Sequence, residues 1–426
     1  MQRVIWQTLT ETQKQAALNR SELVQDGAVA ESVRAILARV KNEGDAGLLA
    51  LTEQFDGPLG DNWQLGPEQM AEAAGRLDEA LKQAIDQAID NIGRFHSAQQ
   101  PQTLALNVAN GVRCELRSEA IERVGLYVPG GTAPLISTVL MLALPARIAG
   151  CELKVMVTPP PVNDAILYAA SRCGVDTLFT IGGAQAIAAL AYGTETVPRV
   201  DKIFGPGNRF VTEAKTQVSQ QGTAIDMPAG PSEVLVIADD SANPDFVAAD
   251  LLSQAEHGED SQVMLVTNSA ALADAAEQAV NRQLERLPRS AVAQVALSQS
   301  RVILADTLEQ ACVISNAYAP EHLIVQTRAP RDLLPRLRAA GSIFLGPWTP
   351  ESVGDYASGT NHVLPTYGAA RTASSLSLAD FQRRFTVQEL SQDGLNTLAN
   401  AVTTLAEAEG LRAHATAVTL RLEAQQ

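Results

Sequence analysis

Apolar residues recur at two different spacings along this chain. In the first quarter they fall three and four apart, as at Val33, Ile36, Leu37 and Val40, and again at Leu81, Ala84, Ile85, Ala88 and Ile89. That spacing lays one apolar stripe along a helix, and it predicts helices over 28–52 and within 67–99. From about residue 124 the stripes give way to short apolar runs bounded by turn residues. Val124–Val128, Leu153–Thr158, Thr177–Ile181 and Lys202–Phe204 read as strands, each followed by a helical stretch. Val234–Ala238, Gln262–Thr267, Val302–Leu304, Leu323–Thr327 and Ser342–Leu345 repeat the rhythm. Strands separated by helices run parallel, because no tight hairpin joins them. Two such series predict an α/β fold with two doubly wound, Rossmann-like parallel-sheet lobes.

After Pro350 the pattern loosens into Gly/Ser/Thr-rich loops, and the stretch from Gly394 to Gln426 reads as a helical tail. The segment Val124 to Ala146 carries no charge and is long enough to suggest a membrane span. Pro129, Gly130, Gly131, Pro134 and Pro145 interrupt it, however, and would leave backbone groups unpaired in lipid. A strand, a turn and a buried helix fit it better. The N-terminus lacks the basic, apolar, small-residue order of a signal peptide, so a cytoplasmic protein is expected.

Composition agrees with that picture. With 426 residues, 46% of them apolar, the chain can bury a large core spread over two or three domains. A formal charge of −16 opposes nonspecific binding to nucleic acid or acidic lipid, and neither is expected as a partner. Cys114, Cys151, Cys173 and Cys312 are scattered, with no Cys-x-x-Cys pair, and read as reduced thiols.

The candidate chemistry is concentrated in the second half. Four of the five histidines follow residue 250: His257, His322, His362 and His414. Imidazole both binds zinc and moves protons near neutral pH, so the distribution points to an enzyme. Gln254 and His257 are three apart at a predicted helix end, with Gly258 as the stop, and would share a face. On local evidence alone a surface helix with a C-terminal His explains them slightly better, since two ligands do not make a tetrahedral site. Glu321 and His322 sit together at the head of a predicted strand, where they suit paired proton transfers; a solvated Glu beside a half-buried His is the plain alternative. Asp355 and His362 flank a polar loop, and Glu409 and His414 share the tail. In the 124–235 region three glycine-bearing turns follow strands: Tyr127 to Thr132, Gly182 to Gln185 and Gly205 to Asn208. Such turns can cradle a phosphate at a helix N-terminus, although none is Gly-x-Gly-x-x-Gly.

Several stretches together resemble the histidinol dehydrogenase family, from about residue 25 to 421. They are Val124 to Leu135, Gly182 to Leu190, Lys202 to Asn208, Asp226 to Glu233, Leu252 to His257, Pro320 to His322 and Gly354 to His362. The resemblance implies a zinc- and NAD-dependent oxidoreductase of histidine biosynthesis. It would carry L-histidinol through bound L-histidinal to L-histidine, in a homodimer with shared sites and one zinc per subunit. Gln254, His257, Asp355 and His414 match the zinc ligands, the last reaching across from the neighbouring subunit. Glu321 and His322 match the catalytic pair. Ser232, His362 and Glu409 match substrate contacts, joined there by the ligand set and the pair, and Tyr127, Gln185 and Asn208 match the NAD site.

On this reading residues 1–22 are a helical N-terminal segment. Residues 23–123 with 236–377 form the lobe bearing the catalytic and metal residues, 124–235 the cofactor lobe, and 378–426 a tail swapped onto the partner. A zinc dehydrogenase acting on another amino alcohol or polyol is the alternative enzyme. A two-lobed binding protein with a structural metal is the alternative outside enzymes.

Overall fold

Two six-stranded sheets, wound in the same order, carry the fold. The structure is a computed structural model and describes residues 1–20, 27–59, 62–130, 134–227 and 230–424. Parts of the Tyr127–Thr132 turn and of the Asp226–Glu233 stretch therefore lie outside the described residues. In the first sheet, strands 177–179, 153–157, 123–127, 202–204 and 224–225 lie side by side and parallel, with 64–65 antiparallel at one edge. In the second, 2–5, 301–304, 262–267, 233–238, 322–326 and 342–345 are all parallel. Each series starts in the middle of its sheet and reverses direction there. The switch points fall between 123–127 and 202–204, and between 233–238 and 322–326.

The strands form where the apolar runs predict them. Strands 233–238 and 262–267 are buried at every position, as parallel strands covered on both faces must be. The uncharged segment resolves into strand 123–127 and helix 136–149, whose residues 138–146 are all buried. Helix 164–173 ends on Gly174 in the left-handed region, so the predicted stop is real.

Packing corrects the expected domain allotment. Val29, Val33, Ile36, Leu37 and Val40 of helix 27–55 join the same apolar cluster as Ile187, Leu190 and Val211. Ile85, Ile89 and Ile92 of helix 79–97 join Leu140 and Leu144 on the other side of that sheet. Residues 27–97 thus cover the first sheet rather than the lobe that holds 236–377. The first residues are not wholly helical either, since 2–5 adds an edge strand to the second sheet before helix 11–18. Strand 382–390 pairs with 112–120, which pairs with 104–109, in a separate antiparallel sheet. The tail therefore begins as a strand, and its helices 392–408 and 412–423 pack chiefly on each other.

Candidate active site

The candidate residues gather at opposite ends of the strands in the two sheets. In the first sheet they follow the carboxyl ends, as at Tyr127 and Gly205. In the other sheet Ser232, Glu321 and His322 stand at the amino ends of strands 233–238 and 322–326. A cavity of about 260 Å³ lies between, lined by Ser232, His257, Glu321, His322, Asp355 and His362 among others, including Gly205 and Asp226 from the opposite lobe.

Backbone geometry aims the central pair. Glu321 Oε2 accepts the Glu233 N–H at 2.8 Å, and the two oxygens of that carboxylate cannot both face the strand. His322 Nδ1 lies 3.1 Å from the Glu233 carbonyl and 3.3 Å from Gln254 Nε2. A carbonyl can only accept, so the shorter contact puts the proton on Nδ1, and the Gln254 amide nitrogen packs against the ring without a hydrogen bond to it. Nε2 is then the basic nitrogen. It is buried without a hydrogen-bond partner and 3.6 Å from Asp355 Oδ1. Burial opposes charge on His322, whereas the Glu321 and Asp355 carboxylates favour it and raise its pKa well above the ordinary value, so Nε2 becomes the base only once the Asp355 charge is engaged by another cation. Burial likewise opposes charge on Asp355, yet the neighbouring His322 keeps that carboxyl below the usual range. Burial lowers His362, whose Nδ1 donates to the Asp355 carbonyl at 2.9 Å.

Gln254 is 1% exposed, and its Oε1 has no hydrogen-bond partner. A buried amide oxygen without a donor is costly unless something else satisfies it. Helix 244–255 ends earlier than predicted, so His257 lies in the turn beyond it rather than on the face of Gln254. Even so, it reaches the cavity that Asp355 lines. Glu409 and His414 do not: both are exposed in the tail and do not line this cavity. Among the described residues no three His, Cys, Asp or Glu side chains cluster as a metal site. One chain places His257 and Asp355 on one cavity, with the Gln254 amide against His322.

A second cavity of about 700 Å³ opens at the carboxyl ends of the other sheet and includes Tyr127, Gln185 and Asn208. Gly205 has φ +124, and a Cβ there would stand 2.1 Å from the Tyr127 carbonyl, so only glycine lets this turn cross the strand end. The Gly205 N–H donates to Asp226, whose other oxygen meets buried Lys215. Tyr127 hydroxyl accepts the Gly183 N–H at 3.2 Å, and burial pushes its pKa up to about 12, so it stays neutral. Asn208 caps helix 209–219 through its Oδ1. Sequence reasoning missed Asp56, which lines this cavity and accepts from Gly182 N–H at 3.2 Å and Gln185 Nε2 at 3.0 Å. It also missed Glu233, although an acid at the head of a wholly apolar strand was a usable signal.

Comparison with known proteins gives a consistent answer. A family model described as Histidinol dehydrogenase matches residues 18–422. The histidinol dehydrogenase of Shewanella oneidensis is 59% identical over 433 aligned positions, covering 99% of both chains. That of Vibrio cholerae is 58% identical over 428, covering 100% of this chain and 99% of its own. The crystal structure of histidinol dehydrogenase from Elizabethkingia anophelis superposes with a TM-score of 0.96 at 43% identity, covering 100% of this chain and 98% of that one.

Proposed function

The chain belongs to the histidinol dehydrogenase family, and on that premise we propose that it oxidises L-histidinol to L-histidine in two NAD-linked steps, with zinc holding the substrate. The observation that carries the reading is the buried pair: Glu321 and His322 face one cavity, with His322 Nε2 unpartnered and aimed as a base.

The overall change is alcohol plus two NAD⁺ plus water to carboxylate, two NADH and three protons. An alcohol gives up hydride readily only when its O–H proton leaves as well. His322 Nε2 accepts that proton, while the Nδ1–H bond to Glu233 fixes the ring. Oxidising the aldehyde requires water to add to it. Glu321 accepts the proton of that water through the oxygen not held by the Glu233 N–H. His322 then takes the hydroxyl proton of the hydrate as the second hydride departs. Keeping the reactive amino aldehyde bound between the two oxidations avoids its loss to solution.

NAD supplies the hydride acceptor, and the 700 Å³ cavity with Tyr127, Gln185 and Asn208 fits it. Zinc supplies a positively charged anchor for the substrate's imidazole and amino group. Gln254 Oε1, His257 and Asp355 fit that ion, because the buried Gln254 oxygen otherwise lacks a partner. His414, with Glu409 as a substrate contact, would complete the site from the neighbouring subunit of a homodimer. Supporting this, Leu104, Leu106 and Val108 form an exposed apolar row on strand 104–109, and Leu405, Leu411 and Leu420 are exposed on the tail. Ser232 and His362 line the cavity as further substrate contacts. Four free cysteines suit a reducing compartment such as the cytoplasm; among the described residues no helix is long and apolar enough to cross a membrane.

The test is to mix pure protein with histidinol and NAD and measure NADH and histidine. About two NADH per histidine is expected from the redox change. One NADH with accumulating aldehyde overturns the two-step reading.

A further inference from the structure

Arg20 closes the N-terminal arm, 213 residues before the acid it pairs with. Its guanidinium lies 3.9 Å from the centre of the Tyr318 ring. Nε meets one oxygen of Glu233, and Nη2 meets the other at 2.8 Å. Nη2 also donates to the carbonyls of Tyr318 at 2.9 Å and Ala319 at 3.2 Å. The side chains of this pair are only 12% and 2% exposed, so both charges are withdrawn from water.

Those contacts straddle the switch point of the second sheet. On one side is Glu233, whose backbone N–H holds Glu321 and whose carbonyl holds His322. On the other is Ala319, with a left-handed φ of 57, which leads through Pro320 into Glu321. The two strands are paired directly, Val234 opposite His322. One planar fork therefore ties the backbone on both sides of the catalytic pair.

We infer that Arg20 and Glu233 are positioning residues for the reaction, setting the orientation of Glu321 and His322 through the Glu233 backbone. This rests on the proton-transfer roles proposed above. Neither residue reaches the substrate cavity. A guanidinium suits the task because its donors point in fixed directions, whereas a lysine ammonium is a point charge on a flexible stem.

The experiment compares wild type, Arg20→Lys, and the doubly neutral Arg20→Met/Glu233→Gln, which leaves no buried charge unpaired. For each, kcat and KM are measured with histidinol and NAD affinity by fluorescence. The His322 ring nitrogens are followed by ¹⁵N NMR, assigned through His322→Asn. Loss of support around reacting groups costs about 10–100-fold, so kcat should fall by that much in Arg20→Lys. The KM for histidinol and the NAD affinity should stay within about threefold, as for an interaction felt mainly in the transition state. The ¹⁵N shift of His322 Nδ1, which is hydrogen-bonded to the Glu233 carbonyl, should change. Wild-type kcat and an unchanged Nδ1 shift in a folded variant overturn the inference. So does a parallel fall in kcat, NAD affinity and melting temperature, or failure of both variants to fold, since Arg20 is then only a folding element. A wild type that makes no NADH from histidinol sinks the proposed function instead, and the ¹⁵N comparison still decides whether Arg20 orients His322.

Discussion

Replacing Glu321 with glutamine separates the two oxidations. The Glu233 N–H needs an acceptor, and it binds Glu321 Oε2 at 2.8 Å. In Glu321→Gln the amide oxygen must take that place, which turns the NH₂ group toward the cavity. An NH₂ group cannot accept a proton from water. Hydration of the aldehyde thus loses its base, a loss of about 10²–10⁴ in rate, or about 2.7–5.4 kcal/mol at 1.36 kcal/mol per tenfold. The first oxidation needs only His322. Removing the carboxylate also removes an attraction that keeps the imidazole charged, so the first step gains basic imidazole instead of losing it. Stopped-flow single turnovers, started separately from histidinol and from histidinal, resolve the two hydride transfers. The second should slow by the stated factor, while the first changes by less than about tenfold. Equal losses in both steps would refute the division of labour between Glu321 and His322.

Burial pushes Asp250 up to about 7, so the folded protein holds a proton there that the unfolded chain releases. Stability relative to Asp250→Asn should therefore fall as pH rises from the ordinary carboxylate range to about 7, by up to about 1.4 kcal/mol per unit; urea titrations at several pH values check this, and a pH-independent difference contradicts it. Lys215 and Asp226 are 4% and 1% exposed and tie down the turn at Gly205. Lys215→Met leaves a buried carboxylate unpaired and should cost about 3–5 kcal/mol in chemical denaturation. Chelating zinc should abolish activity but leave the circular dichroism of a folded α/β protein, because the cores form without metal; an unfolded apoprotein would make the ion structural. Mixing inactive His257→Asn and His414→Asn proteins under subunit exchange should restore roughly 25% of wild-type activity if sites are shared, since half the dimers then hold one intact site. Mixed dimers seen by mass yet inactive would return His414 to its own subunit.

Local order was legible from the chain alone. An apolar run such as Val234–Ala238 can be satisfied only by burial on both faces, and the helix-length spacing to the next run permits only a parallel connection. Glycine and proline marked the turns, and the clustered motifs marked which residues carry chemistry. Which lobe receives helix 27–55 was not legible, because an apolar stripe says that it is buried but not against what. The antiparallel sheet was missed for a similar reason: strand 382–390 is largely exposed and has no apolar signature, and its partner lies more than two hundred residues earlier. The use of amino ends in one sheet and carboxyl ends in the other follows from how the lobes face each other. No spacing rule contains that, nor the reach of Arg20 to Glu233. Periodicity is a property of neighbours along the chain, so it determines elements and their faces. The assembly of the site depends on contacts between residues far apart in sequence, and only the packed structure decides those.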